Sequence, residues 1–228
     1  MASVNRSITI KKFQNFIKEV YGLSNSRYFG LGDMIVNMER FVMRGLKGIR
    51  KGDVQKTKLN LLIAFSWFTS IMNRLHIDVE NEIWKRFPYL CSYCGTYPCI
   101  CKKIKVKKRQ KVVIDNKKRP KTIEQFQKMF SDVYPAADRT LDHAGVHLAE
   151  EVGEFSEVIL TFRGAHRDED FKNVELEAAD LFSCIAGVFN SLKMNMAKEL
   201  AKMYSKNCHT CKKSPCICNF TIITKFKS

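Results

Sequence analysis

The sequence predicts an all-α protein made of two tandem copies of one helical unit. Three observations carry that reading. Apolar residues recur at helical spacing: Leu148, Val152, Phe155 and Ile159 stand at i, i+4, i+7 and i+11, a single stripe. Only 5 of the 228 residues are Pro and 11 are Gly, while 45% are hydrophobic, so long helices around a buried core are allowed. The chain also repeats itself. Ile10, Phe13, Gln14, Val20 and Tyr21 return as Ile123, Phe126, Gln127, Val133 and Tyr134, at an offset of 113. Cys91, Cys94, Cys99 and Cys101 return as Cys208, Cys211, Cys216 and Cys218, at an offset of 117. One loop insertion accounts for the four-residue difference. The predicted division is a first unit at 1–101, a basic linker at 102–121 and a second unit at 122–228.

In chain order, the first copy opens with a short helix near Ile10–Tyr21, followed by a Gly-, Ser- and Asn-rich turn. A second helix covers Leu31–Leu46, with Met34, Met38 and Phe41 on one face. Glycines and charges mark Gly45–Asp53 as a loop. Leu59–Leu75 is an apolar helix containing Trp67 and Phe68, and Val79–Phe87 leads to Pro88 and the first cysteines. The second copy repeats this plan with helices near Ile123–Val133, Leu141–Phe162, Val174–Leu192 and Met196–Ser205. Pro135 ends the first of these, and Gly164–Asp170 is a loop. Val112–Ile114 and Phe220–Ile223 are the only segments with strand character.

The chemistry concentrates in the second copy. Glu151 and Glu154 are three apart, so their carboxylates share one helix face about a turn apart. Glu177 and Asp180 repeat that spacing on the next helix. Two antiparallel helices would bring four carboxylates around one point, where they repel unless a cation sits among them. Carboxylate oxygens with no Cys or His suit Mg²⁺ or Mn²⁺, ions that commonly work on phosphates. The plain alternative is a set of solvated glutamates on amphipathic helices. It fits Asp180 poorly, because Ala178, Ala179, Leu181, Phe182, Ile185, Ala186 and Val188 surround it in sequence and a buried acid without a partner is costly. In the first copy Asn60 stands in place of Glu177 and Ile63 in place of Asp180, so that copy keeps the scaffold without the acids.

Glu150-Glu151-Val152-Gly153-Glu154 followed by Glu177-Ala178-Ala179-Asp180 resembles the E-E-x-x-E and E-x-x-D signature of the MazG-like all-α nucleoside triphosphate pyrophosphohydrolases. The resemblance spans roughly Thr122 to Asn207. It implies Mg²⁺ (or Mn²⁺) held by Glu151, Glu154, Glu177 and Asp180, with Glu150, Glu151 and Glu154 as the catalytic acids. It also implies a nucleoside or deoxynucleoside triphosphate as substrate, split to monophosphate and pyrophosphate. The family's Lys-x-x-x-Asn phosphate pair is matched imperfectly: Lys202 and Asn207 are five apart, with Lys206 between them. Members of this superfamily assemble from identical helical units, which implies that the tandem copies pack as a pseudo-dimer and leaves room for a homo-oligomer.

Each Cys cluster offers four thiolates within eleven residues, enough to close a tetrahedral zinc knuckle. The rival is an iron–sulfur cluster, which four thiolates also suit. In an intracellular chain metal is favoured over disulfides, while Cys184 reads as a core residue. His147, a turn before Glu151, and Arg163, in the loop between the acidic helices, are candidate substrate contacts. Each also reads plainly as a surface residue.

The net charge of +16 is uneven. Residues 122–207 hold 15 acids and 9 bases, whereas 102–121 holds 11 bases against Asp115 alone. Such a block suits nucleic acid or another polyanion. A non-enzymatic nucleic-acid-binding protein using this linker and the knuckles is therefore the alternative function. No apolar run reaches membrane-spanning length and no signal-peptide core is evident, so no membrane association and a cytoplasmic location are expected.

Overall fold

The computed structural model describes residues 4–135 and 139–226. Among them are nine α-helices, one short 3-10 turn at Asn116–Lys118 and no strand. The all-α reading holds, and the two segments with strand character are corrected. Residues 112–114 are irregular, and α9 (Phe220–Thr224) is helical, capped by the Asn219 side chain accepting from Ile222 N. No helix among the described residues is long and apolar enough to cross a membrane.

The first copy supplies α1 (Ile10–Tyr28), α2 (Leu31–Arg50), α3 (Val54–Arg74) and α4 (Val79–Arg86). The second supplies α5 (Ile123–Val133), α6 (Leu141–Ala165), α7 (Asp168–Ser191) and α8 (Met196–Met203). Thr9 and Thr122 stand at equivalent starts, and each hydroxyl accepts a first-turn amide, from Lys12 N at 2.9 Å and from Gln125 N at 3.1 Å.

Several helices run past their expected ends. Gly45 and Gly48 were expected in a loop, yet both lie buried inside α2. A Cβ on Gly45 would stand 2.8 Å from Leu61 Cδ2, and one on Gly48 would stand 2.5 Å from Thr57 Oγ1. Glycine is there so that α2 and α3 can approach closely, not to turn the chain. Likewise α6 runs on to Ala165, where His166 takes a left-handed φ of 52°, and α7 begins at Asp168. Three acids in the first turn of α7 complement the helix dipole, and Arg167 bonds Asp170 at 2.8 Å.

The chain forms two compact units, and they cut across the repeat. One comprises residues 1–78 and 196–228, the other residues 79–195. Each therefore takes three long helices from one copy and the short helix plus Cys₄ knuckle from the other. Inside the first unit Cys216 N donates to Val20 O at 2.7 Å; inside the second, the equivalent Cys99 N donates to Val133 O at 2.9 Å. Gln14 Nε2 meets Ile77 O at 2.6 Å, and Gln127 Nε2 meets Met194 O at 2.7 Å. Asn73 returns a bond to Gln14 O at 2.9 Å, as Asn190 does to Gln127 O at 3.1 Å. The boundaries 1–101 and 122–228 thus describe the repeat, while the compact units exchange α4 and α8.

One polar contact ties α8 to α3 inside the first unit. Glu199 is buried and pairs with Lys58 at 3.0 Å and Lys202 at 2.6 Å. Burial alone would raise its carboxyl, but hydrogen bonds from Lys202 and Lys58 hold it below its ordinary value. A depressed folded-state pKa means that the carboxylate contributes stability at neutral pH, and that this stability is lost as pH falls through that value. Glu199→Gln should cost about 1.5–3 kcal/mol at pH 7. Urea denaturation should show the gap from wild type closing at acid pH; a gap independent of pH would contradict the assignment.

Candidate active site and metal centres

The acids converge inside the second unit. Leu148, Val152, Phe155 and Ile159 are buried and anchor α6, which carries Glu151. Ala178, Ala179, Leu181 and Phe182 are buried and anchor α7, which carries Glu177 and Asp180. Carboxylate oxygens of Glu151, Glu177 and Asp180 lie within 4.8 Å of one another. Oε2 of Glu151 and Oε2 of Glu177 are buried with no hydrogen-bond partner among the described residues.

Asp180 is held by a residue that the sequence reading did not single out. Arg86, at the end of α4 from the first copy, donates Nε to Oδ1 at 3.0 Å and Nη2 to Oδ2 at 2.6 Å. The side chains are only 10% and 13% exposed. Burial would weaken the arginine as a cation; the hydrogen bonds and charge of Asp180, with that of Glu177, more than offset it and raise its pKa. Burial, reinforced by Asp180, Glu154 and Glu177, pushes the Glu151 carboxyl up to about 8 against the pull of Arg86. Burial and the charges of Asp180 and Glu154 also raise Glu177, opposed by Arg86 and Arg109. Both hydrogen bonds from the Arg86 guanidinium are spent on Asp180. The two partnerless oxygens and the hard oxygen donors fit a divalent cation.

A cavity of about 200 Å³ opens on this cluster, lined by Glu151 and Asp180 together with Arg109, Arg139, His147 and Tyr134. Acids and cations on one wall suit a metal-bound phosphate. His147 therefore stands where it was expected; its ring is held towards the neutral form by burial, then by Arg139 and His143, against Glu150. Glu150 is exposed and meets His147 Nδ1 at 3.1 Å. Glu154 is exposed and lies outside the three-carboxylate group, though close enough to raise both Glu151 and Glu177. Arg163 is exposed in the last turn of α6 and does not line the cavity. Lys202, Lys206 and Asn207 belong to the first unit. Arg109 was read only as part of the basic linker, and nothing in the sequence around Arg139 marks it. Arg86 could have been found by comparing copies, since Met203 occupies its position 117 residues on.

In the first unit the same positions carry no acid: Ile63 stands for Asp180 and Asn60 for Glu177. Ile63, Phe41, Trp67 and Tyr204 line a cavity of about 60 Å³ with Phe226 from the C-terminal segment. Arg40 Nη1 and Arg44 Nη1 donate to Thr224 O and Phe226 O at 2.7 and 2.8 Å, holding that segment in place. Asn60, in place of Glu177, is fully buried and donates to Lys56 O at 2.7 Å.

The cysteines also meet as expected. Sulfurs about 2.3 Å from one tetrahedral ion sit roughly 3.8 Å apart. Cys91 and Cys101 are 3.8 Å apart, Cys94 and Cys99 3.9 Å, Cys208 and Cys218 3.9 Å, and Cys211 and Cys216 3.8 Å. These distances exclude disulfides in this structure, and all nine cysteines are free. Each Cys₄ group could hold a zinc ion. Cys184 is buried in α7 and belongs to neither group.

Arg86–Asp180 and Met203–Ile63 are the same pair of positions in two chemistries, which makes a direct test. Arg86→Ala in metal-free protein should cost about 3 kcal/mol, because it leaves Asp180 partly buried and unpaired beside two other acids. The double variant Arg86→Met, Asp180→Ile copies the first unit and should recover most of that loss in a denaturation cycle. Additive losses would show that the two side chains are not energetically coupled.

Comparison with known protein families, with curated proteins and with solved structures finds no match to this chain.

Proposed function

We propose that the second unit hydrolyses a nucleoside or deoxynucleoside triphosphate to monophosphate and pyrophosphate, as its MazG-like motif implies, and that the first unit is catalytically silent. The observation that carries this reading is the meeting of three carboxylates, two with partnerless buried oxygens, beside a cavity lined by Glu151, Asp180, Arg109 and Arg139. Glu151 and Glu177, with Asp180 beside them, would hold Mg²⁺ or Mn²⁺. Such an ion supplies charge neutralisation and polarisation of phosphate oxygens.

The remaining roles fall to side chains of the chain itself. Arg109 and Arg139 receive the phosphates through charge-assisted hydrogen bonds. Arg86 fixes the orientation of Asp180 and does not touch the substrate. Glu150 is engaged with His147, so Glu154 is the acid assigned to take the proton from the attacking water. The water oxygen bonds to the α-phosphorus as the bridging P–O bond to the β-phosphate breaks. Pyrophosphate leaves with the electron pair.

With Mg²⁺ present, a screen of nucleoside and deoxynucleoside triphosphates should show monophosphate and pyrophosphate as direct products. Glu151→Gln and Asp180→Asn should each lower the rate at least about a hundredfold while the far-UV spectrum is unchanged. Orthophosphate as the first product, or full activity in both variants, would overturn the proposal.

The knuckles are assigned one zinc each, as structural sites that close the end of each unit. Elemental analysis should find two zinc ions per chain, and one after Cys208→Ser with Cys211→Ser. Visible charge-transfer absorption with bound iron would instead support the iron–sulfur alternative.

A further inference from the structure

One surface of the second unit shares only Ser92 and Arg109 with that cavity. Residues 88–113, the first knuckle and the start of the linker, contain no Asp or Glu. They carry seven Lys and Arg between Lys102 and Lys111, all exposed. The linker does not trail away from the knuckle. Gln110 N donates to Tyr93 O at 2.9 Å, Tyr93 Oη donates to Val106 O at 3.1 Å, and the Arg109 guanidinium stands 6.0 Å from the Tyr93 ring centroid. Charge and aromatic rings therefore share one surface.

Those rings are unusually open. Tyr93 is 38% exposed and Tyr97 54% exposed. Tyr97 stands edge-on to Tyr89 at 5.6 Å, and these two border a hollow with Pro88, Val113, Lys118 and one acid, Asp115. The knuckle itself does not demand these rings, since the second knuckle has Thr210 and Ser214 at the positions 117 residues on. Lysines alone would suit any polyanion. Exposed rings held beside them add a face on which an unpaired base can stack.

We propose that the first knuckle and residues 102–111 bind single-stranded nucleic acid, with phosphates on the lysines and bases on Tyr93 and Tyr97. Duplex bases are already stacked, so a duplex can use only the charge. The test is fluorescence anisotropy of the full chain with labelled twelve-nucleotide single strands of RNA and DNA, the matching duplex, and heparin as a purely electrostatic competitor.

Single strands should bind more tightly than the duplex. Tyr97→Ala should weaken single-strand binding about five- to a hundredfold, with Tyr97→Phe near wild type and heparin affinity unchanged in both. Replacing Lys105, Lys107 and Lys108 by Gln should reduce the slope of log affinity against log salt by about 2, at roughly 0.7 per phosphate contact. Zinc content and the far-UV spectrum show whether each variant is folded. Tyr93→Ala and Tyr93→Phe both lose the hydroxyl that bonds Val106 O, so the Tyr97 pair decides the matter should either fail to fold. No binding, equal affinity for strand and duplex, or wild-type affinity in Tyr97→Ala would overturn the proposal.

Discussion

The contact between Arg86 and Asp180 is the constraint around which the second unit is arranged. A partly buried aspartate between two other acids is tolerable only with a cation close by. Arg86 supplies one through two parallel hydrogen bonds. It comes from the first copy, on the short helix α4 that the second unit incorporates. Kept with its own copy, α4 would set Arg86 against Ile63 and α8 would set Met203 against Asp180. Either would leave a charge facing hydrocarbon. In the second unit charge meets charge, and the equivalent positions of the first unit carry the uncharged Met203 and Ile63.

From that pairing follows the electrostatic character of the cavity. Arg86 is occupied with Asp180, and among the described residues nothing satisfies Oε2 of Glu151 or of Glu177. Their carboxyls are raised because burial and mutual repulsion disfavour charge there. A divalent cation would relieve both terms at once. The first unit shows the alternative solution, in which the acids are absent and the C-terminal segment lines the cavity with Phe226. One scaffold thus carries a polar centre or an apolar one, decided by a few side chains.

The repeat extends to details of backbone and hydrogen bonding. His76 and Lys193, 117 residues apart, both take left-handed φ values just after their long helices, 59° and 54°. Gly95 and Lys212 do the same inside the knuckles, at 68° and 61°. Equivalent glutamines and asparagines close equivalent loops in the two units. Differences between copies are therefore informative. Asp180 against Ile63, Arg86 against Met203 and Tyr97 against Ser214 are positions where the copies differ in charge or aromatic character.

Local pattern was enough for the helices, the repeat, the Cys₄ groups and the pairing of Glu151 with Glu177 and Asp180. Each depends on spacing along one or two helices, which a 3.6-residue period reveals directly. Gly45 and Gly48 misled, because a glycine that admits a neighbouring helix looks in sequence like one that turns the chain. Only the tertiary structure decided which copy's α4 completes which unit, since α4 and α8 are equivalent in the repeat and propensity cannot choose between them. It alone brought Arg86, Arg109 and Arg139 to the acids, across 94, 71 and 41 residues of chain counted from Asp180. Coulomb attraction depends on distance in space and not in sequence, and no periodicity records it.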